Sequence, residues 1–110
     1  MRLALVMILM IVAVSSLASR ALAADADGAA VWKQHCQGCH GADGAGDTAV
    51  GKALHVASLK DPKWASADAL AKIESAVRGG VGKMPAMASS LSADEIAAVA
   101  RHAQELAGAK

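Results

Sequence analysis

Cys36-Gln37-Gly38-Cys39-His40 decides how the rest of this 110-residue chain is read. Two cysteines three apart, with a histidine directly after the second, form the attachment pattern of a c-type haem. Spaced at i and i+3 on one helical turn, the two thiols can each add S–H across one vinyl group of a single porphyrin edge. The histidine then lies under the iron, where an imidazole nitrogen serves as an axial ligand. These are the only two cysteines in the sequence. A zinc site needs about four ligands, and the chain has no second cysteine pair and no H-x-x-x-H. A thioredoxin-like pair follows a strand in a βαβ pattern, and none is visible. A structural disulfide is the remaining alternative. The pattern therefore implies one covalent, iron-containing haem c per chain, with Cys36, Cys39 and His40 as its binding residues.

The first two dozen residues bear on the compartment. Arg2 gives a short positive start, residues 3–14 are an unbroken apolar run, and a polar stretch follows over 15–20. Ala21-Leu22-Ala23 then reads as an A-x-A cleavage site, so residues 1–23 are expected to be a secretory signal peptide cut before Ala24. An uncleaved inner-membrane anchor is the alternative, kept open by Arg20 close to the cut. The apolar run is short for a bilayer span. Residues 24–110 form the expected domain.

Removing the leader changes the bulk properties. Arg2 and Arg20 leave with it, so 11 Lys plus Arg become nine against ten Asp plus Glu, a net of −1. Two ionised haem propionates take that to about −3. No basic stripe exists, which argues against a nucleic-acid partner. A domain of fewer than ninety residues has a marginal core, and this one has no Phe, no Tyr, two Trp and much Ala. A buried porphyrin supplies apolar bulk that such side chains cannot.

The remaining pattern is helical. Asp25 or Asp27 can cap a first helix that runs to about His35, with Gly28 and Trp32 one turn apart on one face. The cysteine motif closes it. The run 41–47, rich in glycine, is a turn, and residues 49–56 predict a short helix. Asp61-Pro62 ends the next loop. Ser66 caps a helix carrying Leu70, Ile73 and Val77, which Gly79-Gly80 stops. Residues 81–90 form another loop. Ser92 and Glu95 fit a capping box ahead of an apolar stripe of Ile96, Val99, Ala100, Ala103 and Leu106, ended by Gly108. No run alternates at period two, so the fold is expected to be all-α.

The chain resembles the small class I c-type cytochromes over residues 27–106. Gly28 and Trp32 match a glycine and an aromatic in that family's first helix, and residues 36–41 match its C-x-x-C-H-G. Leu59-Lys60-Asp61-Pro62-Lys63-Trp64 matches a Leu-x-Asp-Pro-x-Trp segment, Met84-Pro85 a Met-Pro loop, and residues 91–96 its Leu-Ser-x-x-Glu-Ile. The resemblance implies three to four helices wrapped around one haem, with the first and last helices crossing and the haem edge partly exposed. It also implies a periplasmic site of attachment. One departure stands out: the last helix usually carries an aromatic where this chain has His102.

A second axial ligand is expected opposite His40. A thioether donor raises the reduction potential into a carrier's range. Of five methionines only Met84 and Met87 lie beyond the leader. Met84 is preferred, because Pro85 holds its backbone extended and because it matches the family position; Met87 is the alternative. His35 is expected to face solvent, His55 to lie in a loop, and His102 to pack beside the apolar stripe. The resemblance suggests that the Trp64 indole donates to a haem propionate. Lys33, Lys52, Lys60, Lys63 and Lys83 are candidates for a positive rim that steers an acidic partner.

The expected function is electron transfer: a monomeric monohaem carrier, not an enzyme, passing single electrons between periplasmic or membrane redox proteins through a His40/Met84-ligated iron. The alternatives are a haem subunit of a larger dehydrogenase or oxidase, and an open-site sensor or peroxidase-like protein. Arg78 and Arg101, the only arginines beyond the leader, lack an obvious distal acid/base partner.

Overall fold

The computed structural model describes residues 26–109; the leader, its cleavage site and the Asp25 cap lie outside the described residues. Asp27 opens the first helix from an extended backbone, and its carboxylate accepts the Ala30 amide at 3.2 Å. Three pieces then run on without a break: α1 (Gly28–Val31), a π-helical turn (Trp32–Cys36) and α2 (Gln37–His40). In the π turn the Gln37 amide donates to the Trp32 carbonyl, five residues back, so one extra residue is wound into the helix. The helix therefore passes through the cysteine motif and ends at His40, five residues beyond the expected end near His35.

α3 (Ala49–Ala53) is capped by Thr48. It stops short of Val56 because His55 takes a left-handed backbone, φ 56°. Asp61 caps a 3₁₀ turn (Pro62–Ala65), with its carboxylate accepting the Lys63 amide at 3.0 Å. Ser66 caps α4 (Ala67–Gly79), which Gly80 ends at φ 75°. The capping box at α5 (Ala93–Leu106) is complete. Ser92 Oγ accepts the Glu95 amide at 3.1 Å, and Glu95 Oε1 accepts the Ser92 amide at 3.0 Å.

Among the described residues there is no strand, only an isolated pairing of Val81 with Met84. The fold is all-α. Val31, Trp32 and Cys36 from the first helical segment meet Ile73 and Val77 of α4 and Ile96, Val99, Ala100 and Ala103 of α5 in one core. Leu70 and Leu106, expected on the apolar stripes, pack at its edge. The first and last helices cross at Gly28. A Cβ there would overlap the Ala98 carbonyl oxygen and sit 3.2 Å from His102 Cβ, so only glycine permits the approach. The same crossing buries Ala98, which lies outside the expected stripe.

Candidate functional site

Between these elements lies a cavity of about 670 Å³, within the size range of a cofactor site. Trp32, Cys36, Cys39 and His40 line it from the first helical segment. Ile73 and Val77 of α4 and Val99 and Ala103 of α5 form an apolar wall. Leu54, Val56 and Leu59 close a second side, and Met84, Pro85 and Met87 a third. All four residues expected to bind the cofactor, Cys36, Cys39, His40 and Met84, thus reach one space.

The backbone around the cysteines is pinned from several directions. The buried Trp32 Nε1–H donates to the Gly41 carbonyl at 2.9 Å. The Gly46 amide donates to the His40 carbonyl at 2.7 Å. Thr48 Oγ donates to the Gly38 carbonyl at 2.8 Å. The loop after Gly80 is held by two hydrogen bonds between Val81 and Met84, at 3.1 and 2.9 Å, and by the Met87 amide donating to the Val77 carbonyl at 2.8 Å.

Burial sets the electrostatics of the donors. Cys36 and Cys39 are free thiols. Burial, with Cys39 beside it, pushes the Cys36 thiol up to about 11, so at neutral pH it is an uncharged thiol. Burial also lowers the His40 pKa. This favours neutral imidazole, whose lone pair is free for a metal.

A porphyrin fits these residues. Two side-chain atoms around the cavity are buried without a hydrogen-bond partner, His40 Nδ1 and Trp64 Nε1. Buried polar atoms of this kind call for a partner. Two thiols, an imidazole and a thioether, with a second thioether to spare, surround one apolar space, and these are the donor types that a covalent haem uses.

The sequence profile of the family described as cytochrome C oxidase, cbb3-type, subunit III, matches residues 23–102. The chain belongs to that family. It is a small c-type cytochrome, an electron-transfer haem protein whose cofactor is covalently bound haem c. Its fold is similar to the solved structure of the KustC0563 c-type cytochrome, with a TM-score of 0.66 and 26% sequence identity. The alignment covers 73% of this chain and 96% of that one.

The histidines of the cytochrome lie where the sequence suggested, and the lysines divide. His35 and His55 are exposed, and both line the mouth of the cavity. The His102 ring packs 5.7 Å from that of Trp32 at the crossing. Glu105 Oε2 lies 3.7 Å from the His102 Nδ1. Three of the five rim lysines face carboxylates: Lys52 with Asp47 at 3.0 Å, Lys60 with Asp43 at 3.5 Å and Lys63 with Asp61 at 3.7 Å. Of the five only Lys83 lines the cavity, joined by Lys72. Lys72 escaped the sequence reading, although its place one residue before Ile73 puts it beside the cavity wall. The Trp32 and Thr48 hydrogen bonds also escaped it. A residue before a helix signals a cap, but nothing in sequence signals a reach ten residues back.

Proposed function

We propose that the chain is a monohaem electron carrier, with Cys36 and Cys39 holding the haem by two thioethers and His40 and Met84 as axial ligands. The observation that carries this reading is the convergence of those four side chains on one cavity. When bound, the haem iron supplies one-electron redox chemistry. The protein's part is to hold and shield. The α4 and α5 wall excludes water, His40 offers a neutral nitrogen, and the Val81–Met84 hydrogen bonds brace the loop that carries the thioether. Trp64 Nε1, buried without a partner, would be available as a donor to a propionate. Were His40 and Met84 both to ligate the iron, neither axial position would be open to a substrate.

Export fits this reading, with residues 1–23 as the leader and the periplasm as the site of action. The acidic partner expected from the lysine pattern would meet Lys72 and Lys83, since Lys52, Lys60 and Lys63 already face carboxylates. A second reading has one specific support, the family description, which names an oxidase subunit. In it the same haem domain passes electrons within a membrane complex, and copurification with a catalytic subunit would distinguish the two.

The test is a carbon monoxide challenge of the reduced holoprotein together with a potentiometric titration. The carrier reading expects one reversible one-electron wave and no carbon monoxide adduct. Ready binding by the unmodified protein would replace it with the sensor or peroxidase-like reading.

A further inference from the structure

We propose that Thr48 is a positioning residue for the haem-attachment turn: its hydroxyl clamps the carbonyls of Gly38 and Cys39 to the start of α3 and so fixes the imidazole of His40. This rests on the reading of His40 as an axial ligand. A helix leaves its last carbonyls without intrahelical donors, and α2 ends inside the site. Each carbonyl there has found a donor. That of Gln37 accepts the Gly41 amide at 2.9 Å, and that of His40 accepts the Gly46 amide at 2.7 Å. The Gly41 carbonyl takes the Trp32 indole. The two between, on Gly38 and Cys39, both depend on Thr48 Oγ, at 2.8 and 3.2 Å.

A hydroxyl has one proton to give and lone pairs to receive. Thr48 shares the proton between those two carbonyls and accepts the Gly51 amide at 2.9 Å. An ordinary helix cap needs only the last of these. The contacts nine and ten residues back play no part in capping α3; they join it to the turn that carries His40. α3 lies flush against that turn, since a Cβ on Gly51 would overlap the carbonyl oxygens of Cys39 and Gly46. Groups that orient a metal ligand from behind tune the metal itself. Cys39 precedes His40 directly, so losing the donor to its carbonyl removes one of the anchors on the ligand's backbone, the Gly46 amide being another.

The experiment compares holoproteins carrying Thr48→Val, which keeps the shape and removes the hydroxyl, and Thr48→Ser, which keeps the hydroxyl. The readouts are the reduction potential and the ferric low-spin EPR g-values, which follow the orientation of the axial imidazole. We expect Thr48→Val to lower the potential and shift the g-values, and Thr48→Ser to restore both toward the unmodified protein. A Thr48→Val protein that unfolds more readily yet keeps its potential and g-values would make Thr48 a structural cap only and overturn the proposal. If Thr48→Val does not mature, NMR of the unmodified holoprotein decides: a slowly exchanging Thr48 hydroxyl proton supports the clamp, and a rapidly exchanging one refutes it. Absence of a histidine ligand in the unmodified protein would instead remove the underlying reading of His40, a distinct outcome visible before any variant is made.

Discussion

At the scale of single residues, Met84 and Met87 pose the sharpest question, because both line the cavity and both pack against the core. Their backbones are held differently. Met84 sits in the Val81–Met84 turn and precedes Pro85, whereas the Met87 amide is tied to the end of α4. We expect Met84→Ala to lower the reduction potential, open the sixth position and admit carbon monoxide to the ferrous iron. Met87→Ala should keep the ligands and cost packing, about 2 kcal/mol for a partly buried methionine. Optical spectra with and without carbon monoxide check both. Exchanged behaviour would move the ligand to Met87 and leave the function intact.

At the scale of the elements, two features make separate predictions. Gly28→Ala places a Cβ into the Ala98 carbonyl at the crossing of α1 and α5. Backbone must move on one side, at a cost of about 1–3 kcal/mol in a denaturant titration. The capping box predicts a pH effect. The Ser92 amide, hydrogen-bonded to the carboxylate, lowers the Glu95 pKa from its ordinary 4.5. A folded pKa below the unfolded one stabilises above about 4.5, and that contribution fades as pH falls through the folded value. Glu95→Gln should therefore flatten the acid limb of the stability curve relative to the unmodified protein. An unchanged slope would show that the box titrates alike in both states.

These elements also show how much was legible in sequence. The capping signals Ser66 and Ser92, the stripe of Ile96, Val99, Ala100 and Ala103, and the stop at Gly79-Gly80 all act within a turn or two, and each reappears in the fold. The π turn at Trp32–Cys36 left no mark, because no local propensity separates one extra wound residue from ordinary helix. His55 shortened α3 through a backbone state that its residue type seldom adopts. The site motif was legible because chemistry fixes its spacing. The carbonyl clamp by Thr48 and the indole bond of Trp32 were not, since each depends on where the following loop returns. The lysine pairs were not legible either: Lys60 meets Asp43 across a loop whose path composition does not reveal.

At the scale of the whole molecule, the cofactor and the fold are parts of one object. The core holds Trp32 and Trp64 as its only Trp, Tyr or Phe side chains, and the about 670 Å³ beside them is lined from the first helical segment, α4, α5 and the loops before and after α4. Such a chain gains much of its apolar contact from the porphyrin. Replacing both Cys36 and Cys39 with Ser should sharply reduce holoprotein yield and leave purified protein with markedly less helix by far-ultraviolet circular dichroism. Full native helicity without haem would show that α1, α4 and α5 suffice by themselves. Exposed His35 and His55 and the lysines at positions 72 and 83 line the same cavity, so a haem held there would have charged and titratable groups beside it.

The central claim is that His40 and Met84 close both axial positions of the iron. Near-infrared magnetic circular dichroism of the ferric holoprotein, with the ferrous optical spectrum recorded on the same sample, reads the ligands directly. A low-spin, six-coordinate iron with a histidine–methionine signature, lost in Met84→Ala, is the predicted result; a high-spin or bis-histidine signature in the unmodified protein would contradict it.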